Sequence, residues 1–393
     1  MCIILWAEDA HPRYDLVLVA NRDEFYDRPT TAAHWWDGSA AERAARVLAG
    51  RDEVGRGSWL GVTRAGRFCA LTNVRCPMGT QRADAKSRGK LVSDFLVAGG
   101  SGGGDGGGDG DAAAAASAAA AAAAASDSDS DGDAAAVAYL ASAVDSAAEY
   151  NGYNLLVGTL RGGLHCYSNA AREPGPPARH QPKAHDSRPH PPGPPGTAAS
   201  PPPPPTRAGG GVHGLCNSWL DDDSWPKVRR GKAALAALLK GAGEAGGEAG
   251  GSAGDDAIDP AALFALAAST ARPPRAEDPD TGVGAAWERL LSPIFVRAPS
   301  KGYGTVSAAV LLVERGPGGR ALLVERSFDR AKGDAAAFTE RRFEFEVGGV
   351  GRGAAGGDAA GGEAREGEGG GGGGGAGRPR AGKRPAEREA VRE

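Results

Sequence analysis

The sequence predicts an α+β domain in which antiparallel sheets are covered by helices, and three observations carry that reading. Short β-prone runs recur, and two of the joins are three-residue turns ending in glycine, Arg64-Ala65-Gly66 and Arg161-Gly162-Gly163. Helical stretches are gathered into a few blocks instead of alternating strictly with strands. No dinucleotide-binding glycine fingerprint or P-loop occurs, and the Gly-x-Gly triplets fall in low-complexity tracts or loops.

Taken in order, strands are expected at 2–7 and 15–20, joined by a polar stretch containing Pro12, which predicts a hairpin. Strands follow at 46–49, 59–63 and 67–74, then at 154–160 and 164–168. Four more, at 212–217, 305–314, 321–328 and 342–347, complete the set. Helices are expected at 90–97, 134–148, 225–240 and 260–268. Trp225-Pro226 suits a helix start, because the N–H that proline lacks has no partner in a first turn, and Ser224 stands nearby as N-cap.

Composition separates what folds from what does not. Of 393 residues, 63 are glycine and 27 proline, yet 41% are hydrophobic and seven are tryptophan. A wholly disordered chain does not usually carry so many large apolar groups, and clustered glycines do not make the triplet repeat of collagen. Four tracts account for most of the bias: Gly/Asp, polyalanine and Ser/Asp at 99–135, a proline-rich run at 171–211, Gly/Ala/Glu at 241–256, and a Gly-rich tail at 348–393. None can bury enough apolar surface to offset the entropy of ordering it. About 250 residues remain, a reasonable size for a single core. The expected organisation is one domain over 1–347, interrupted by disordered insertions at 99–135, 171–211 and 241–256 and followed by a disordered tail. Insertions at surface loops cost little, because loop-closure entropy grows only logarithmically.

Several function classes lose support here. The net charge of −4 is small for this length and argues neither way, but no Lys/Arg stripe interleaved with aromatics is present in the blocks expected to fold, so no nucleic-acid partner is expected. No run of about 20 strongly apolar residues occurs, so no transmembrane span is expected. Five cysteines (Cys2, Cys69, Cys76, Cys166, Cys216) without a C-x-x-C pair resemble neither a disulfide framework nor a zinc site, and suit a reducing compartment. His180, His185 and His190 recur every five residues, but in the proline tract, where no rigid cage would hold a metal. The apolar run after Met1 stops at Glu8, too short for a signal peptide, which makes a cytoplasmic protein the physical default.

Four features could carry chemistry. If the initiator methionine is removed, Cys2 becomes the first residue and combines a nucleophilic thiol with its own α-amine, which titrates near 8 when unperturbed and can act as a built-in base. Asn21-Arg22-Asp23-Glu24 follows the apolar strand directly, and four polar groups at a sheet end are costly unless they pair. An arginine beside two carboxylates can be held rigidly and offer its guanidinium to a carboxylate or carbonyl. Asn73 and Asn217 close strands, where side-chain amides can donate to a developing oxyanion, although asparagine after a strand is by default a turn residue.

In combination these residues resemble the NRDE-domain family, also called the transport and Golgi organisation 2 family. The resemblance runs from Met1-Cys2-Ile3-Ile4 and Asn21-Arg22-Asp23-Glu24-Phe25-Tyr26 through Gly57-Ser58-Trp59-Leu60-Gly61, Ala70-Leu71-Thr72-Asn73, Ser87-Arg88-Gly89-Lys90 and Tyr150-Asn151-Gly152-Tyr153-Asn154. It continues with Gly214-Leu215-Cys216-Asn217, Trp225-Pro226-Lys227-Val228, Gly302-Tyr303-Gly304-Thr305 and Glu325-Arg326-Ser327-Phe328. These blocks keep the family order, and the four biased tracts fall between or after them.

The resemblance implies an αββα sandwich of the N-terminal nucleophile hydrolase type. It gives Cys2 as nucleophile, Arg22 and Asp23 as the orienting pair, and Asn73 and Asn217 as oxyanion and amine-positioning groups. The related cysteine amidases read Arg-Asn-x-Asp where this chain reads Asn-Arg-Asp-Glu. The implied reaction is cleavage or transfer of an acyl group at an amide or thioester, with a small acyl or lipid-like molecule as ligand and no required cofactor. The alternative that it implies is a non-catalytic factor in Golgi and endoplasmic-reticulum organisation, secretion, or lipid or haem trafficking. Such a factor would act at Golgi, endoplasmic-reticulum or mitochondrial membranes from the cytosolic side. For haem as a transported ligand, Cys76-Pro77 with Met78 beside it is the motif present.

Overall fold

The computed structural model describes residues 2–98, 129–170, 204–245, 256–316, 318–330, 335–348 and 365–367. The polyalanine run, His180, His185 and His190 with their proline tract, and nearly all of the tail lie outside the described residues. The chain opens with β1 (Cys2–Glu8), β2 (Tyr14–Phe25), β3 (Thr30–Trp35), α1 (Ala40–Ala45), β4 (Val47–Asp52), β5 (Leu60–Thr63) and β6 (Arg67–Asn73). Then come α2 (Gly89–Val97), α3 (Asp129–Asp145), β7 (Tyr153–Thr159), β8 (Gly163–Ser168), β9 (Thr206–Arg207) and β10 (Gly211–Leu215). The remainder is α4 (Pro226–Ala245), α5 (Pro260–Ala267), α6 (Ala285–Leu291), β11 (Arg297–Ala298), β12 (Tyr303–Glu314), β13 (Arg320–Phe328), β14 (Phe338–Glu346) and β15 (Arg365–Gly367).

The strands form two antiparallel sheets, so the fold is α+β. One runs β10-β1-β2-β12-β13-β14-β15, with β11 paired to β12, and the other β3-β4-β5-β6-β7-β8-β9. The period of two along β1 divides its side chains cleanly. Ile3, Leu5 and Ala7 join Val228 and Leu235 of α4 and Leu263 and Phe264 of α5 in one core. Ile4 and Trp6 join Leu48, Val62, Phe68 and Leu156 of the second sheet in another. A third core sets Phe95 and Leu96 of α2 and Tyr139 and Leu140 of α3 against Leu71, Leu155 and Val157. Fully burying one such large side chain stabilises the fold by about 1.5–3 kcal/mol, so the three cores dominate. Among the described residues no helix is long and apolar enough to cross a membrane.

Most expected strands and helices lie within two or three residues of the observed ones, and the largest differences are informative. β2 continues five residues past Ala20, so Asn-Arg-Asp-Glu lies inside a strand and not beyond its end. The short α1 carries a capping box, with Ser39 Oγ accepting from the Glu42 N–H at 3.1 Å and Glu42 Oε2 accepting from the Ser39 N–H at 2.9 Å. Ser224 is not the cap of α4. Its Oγ donates to Asp222 Oδ1 at 2.5 Å, and Trp225 stands directly before the helix. Parts of the tracts set apart by composition carry regular structure: α3 starts at Asp129, β9 and the first residue of β10, Gly211, fall in the proline-rich run, α4 reaches Ala245, and β15 lies in the tail.

Candidate functional site

The site begins where β1 begins. Cys2 pairs with Arg22 across the β1–β2 ladder, which places their side chains on the face shared with Ile4 and Trp6. Asn21 and Asp23 point to the opposite face by the same alternation. The four polar residues are affordable inside a strand because each reaches a partner. Asn21 Nδ2 donates to Ala267 O at 2.9 Å and to Ile294 O at 3.0 Å, tying β2 to the end of α5. This asparagine is a structural clamp.

Arg22, 4% exposed, donates from Nη1 to Thr30 Oγ1 at 2.9 Å and from Nη2 to Asp52 Oδ2 at 3.1 Å, and its guanidinium lies 4.2 Å from the Trp59 ring centroid. Arg28 donates to both oxygens of the same Asp52, from Nε to Oδ2 at 2.6 Å and from Nη2 to Oδ1 at 3.0 Å. Burial would push the Asp52 carboxyl up, but the Arg28 hydrogen bonds and the Gly55 main-chain amide hold it below the usual carboxylate range. Arg22 is thus fixed by the second sheet, and its charge still favours the Cys2 thiolate.

Asp23 accepts from Thr305 Oγ1 at 2.6 Å, and that hydroxyl accepts in turn from the Val296 N–H at 2.9 Å, which commits its proton to the carboxylate. Tyr303 adds a 3.2 Å bond to the Asp23 carbonyl. Burial pushes the Asp23 carboxyl up, while Lys227 and Arg75 act in the opposite direction. Burial also pushes the half-buried Cys2 thiol above its ordinary value, and Asp23 adds to this, while the N-terminal ammonium and Arg22 act in the opposite direction.

The two asparagines meet on the other side of Cys2. Asn217, 1% exposed, donates from Nδ2 to the Asn73 carbonyl at 2.7 Å. Its Oδ1 accepts from Cys216 Sγ at 3.3 Å, and the same thiol reaches the Cys2 carbonyl at 3.1 Å. Among the described residues the Asn73 side-chain amide makes no hydrogen bond, so its N–H groups are open. The five expected residues lie at one end of the sheets: Cys2 and Arg22 share a face, Asp23 lies on the opposite face, Asn217 connects to Cys2 through Cys216, and Asn73 is engaged by its carbonyl rather than its side chain.

Sequence reasoning missed the residues that hold this end in place. Asn154 donates from a fully buried amide to Thr72 Oγ1 at 3.0 Å and Ser218 O at 2.6 Å, joining β6, β7 and the segment after β10. The Arg75 N–H donates to Asn217 O at 2.8 Å, and its guanidinium lies 4.5 Å from the Trp225 ring centroid while pairing with buried Glu288. Lys227 is 3% exposed, and its Nζ has no hydrogen-bond partner among the described residues. Arg88 donates to Gly152 O at 2.9 Å, and burial holds its guanidinium below the ordinary value. The available signal was a polar residue inside an apolar block, as in Tyr153-Asn154-Leu155. Cys76, partly exposed, lies in the loop after β6, and Met78 two residues on is exposed.

The family model described as transport and Golgi organisation 2 matches residues 1–330. The mouse (Mus musculus) transport and Golgi organization 2 homolog is 33% identical over 186 residues, 45% of this chain and 52% of the relative. The cattle (Bos taurus) homolog is 45% identical over 105 residues, 25% of this chain and 36% of the relative. The Drosophila melanogaster transport and Golgi organization protein 2 is 34% identical over 103 residues, 24% of this chain and 35% of the relative. The chain spans about half the length, or less, of these curated relatives. With the family model covering residues 1–330, this chain belongs to the transport and Golgi organisation 2 family.

Proposed function

We propose that the chain is an N-terminal-nucleophile-type protein whose Cys2 accepts or transfers an acyl group from an amide or thioester. The observation that carries the reading is the placement of Cys2, Arg22, Asp23, Asn73 and Asn217 at one end of the paired sheets, with Cys216 bridging the Cys2 carbonyl and Asn217. Helices against the outer face of each sheet and an apolar core between the sheets support an αββα sandwich of that hydrolase type.

In this reading Met1 is removed and the Cys2 α-amine takes the thiol proton. The thiolate then attacks the carbonyl carbon and the leaving amine or thiol departs with a proton from the same amine. Arg22 and Asp23 hold this end of β2 against Cys2, with Asp23 on the ammonium side. The open Asn73 amide and the second N–H of Asn217 Nδ2 are the donors for the oxyanion. Intact mass gives the first test: the purified protein should lack Met1, and a thiol-directed electrophile should label the wild type and spare Cys2→Ala at that site. Retention of Met1 sinks the mechanism, because no free Cys2 amine would exist.

A second reading rests on the family description and on the thiol's raised pKa: the same site holds a lipid-like or haem ligand without turnover, for transport or Golgi organisation. Cytosolic contact with secretory-pathway or mitochondrial membranes belongs to this reading. Haem titration separates one version of it, since identical Soret spectra for wild type and Cys76→Ala would remove Cys76 as a ligand.

A further inference from the structure

β1 has a second polar end. The alternation that sends Ile4 and Trp6 between the sheets sends Glu8 there too, and Glu8 is 7% exposed. Among the described residues no ion pair reaches its carboxylate, and Oε2 is buried without a hydrogen-bond partner. A carboxylate on a core-facing position destabilises the fold, where an apolar side chain would stabilise it, unless something pairs with it.

Glu8 lines a cavity of about 520 Å³ at the end of the sheets opposite Cys2, within the size range of small-molecule sites. Three arginines line it as well: Arg161, Arg207 and Arg315. Arg315 is neutralised by Asp9 at 3.1 Å and Asp15 at 3.2 Å. The other two engage main-chain oxygens, Arg161 on Gly319 O and Arg207 on Gly162 O, each at 3.1 Å. Arg161 Nε is buried without a partner, and Arg207 reaches Asp133 only at 3.9 Å.

Both charged groups pack against one glycine. A Cβ on residue 163 would stand 2.9 Å from Glu8 Oε1 and 2.6 Å from Arg207 Nη2, so glycine at this position, with φ of +102°, is what lets both side chains lie against the main chain. A carboxylate and a guanidinium thus stand side by side on the cavity wall without forming an ion pair, and the cavity in front of them supplies the room. The complementary ligand carries an ammonium and a carboxylate on neighbouring atoms, and a second anionic group for Arg161. We propose that this cavity binds an acidic α-amino acid, with its ammonium on Glu8, its α-carboxylate on Arg207 and its side-chain carboxylate on Arg161.

The site lies at the far end of β1 from Cys2 and does not depend on the chemistry there. Calorimetric titration of the full chain with L-glutamate, L-glutamine and glutarate tests it. Glutamate should bind saturably, while glutarate, which lacks the ammonium, and glutamine, which lacks the second carboxylate, should each bind at least about tenfold more weakly, a factor equivalent to 1.4 kcal/mol. Glu8→Gln should lose glutamate binding by a similar factor while remaining folded. Arg207→Gln, at a half-exposed side chain, provides a second variant in which folding is not at issue. No saturable heat with glutamate, equal binding of glutarate, or full binding by both variants would overturn the proposal.

Discussion

The two ends of β1 differ in how far their buried charges are paired, although Lys227 Nζ stays without a hydrogen-bond partner at the Cys2 end among the described residues. At the Cys2 end, Arg22 is matched to Asp52, Asp23 to Thr305, Arg75 to Glu288 and Asn217 to the Asn73 carbonyl, across six separate stretches of chain. At the Glu8 end a carboxylate and two guanidinium groups share a cavity without ion pairs between them. A matched network rigidifies and positions, whereas an unmatched one is held at a cost in stability. The first is suited to orienting a reaction, the second to receiving a charged ligand.

Breaking the matched end should have the largest effect. Glu288→Ala strands the buried Arg75 guanidinium and should lower unfolding stability by about 3–5 kcal/mol in urea titration. A double change, Arg75→Met with Glu288→Leu, should recover most of that loss. Thr305→Val removes the hydroxyl that donates to Asp23 and should cost about 1–3 kcal/mol by the same measurement.

At the unmatched end the sign reverses. Burial raises the Glu8 carboxyl above its ordinary value of 4.5, with Arg207 and His213 acting against it. A raised carboxyl pKa means that the folded state holds the proton more tightly. Its contribution to stability is therefore fully present below the ordinary value and is lost as pH rises through the folded-state value. Glu8→Gln should flatten that decline and leave the ligand-free protein slightly more stable at neutral pH, by less than about 1 kcal/mol. Thermal melts of both proteins from pH 4 to 7 provide the check, and a destabilised variant at pH 7 would contradict the unmatched assignment. Exposed pairs give the baseline: Arg342→Ala, next to Glu344, should change stability by no more than about 0.5 kcal/mol.

Most of the two sheets was legible in the sequence because apolar alternation writes burial directly into residue order. The residues of the candidate site were legible as well, since Cys2, Arg22, Asp23, Asn73 and Asn217 all fall in distinctive blocks. The extension of β2 to Phe25 was not, because a polar tetrapeptide reads as a turn until its partners are known, and those lie on α5, β3, β4 and β12. The supporting residues stayed hidden for the same reason. Arg75 and Glu288 are 213 positions apart, and nothing local to either announces the other. Glu8 read as the end of an apolar run, when its alternation with Ile4 and Trp6 already placed it between the sheets.

The chemistry proposed for the matched end is tested most directly by mass spectrometry of the protein during incubation with an activated thioester. The expected result is a chain without Met1 that gains one acyl group on Cys2, with no adduct at that position in Cys2→Ala and slower formation in Asn217→Ala. A chain that keeps Met1, or one acylated only at another cysteine, would contradict Cys2 as the nucleophile.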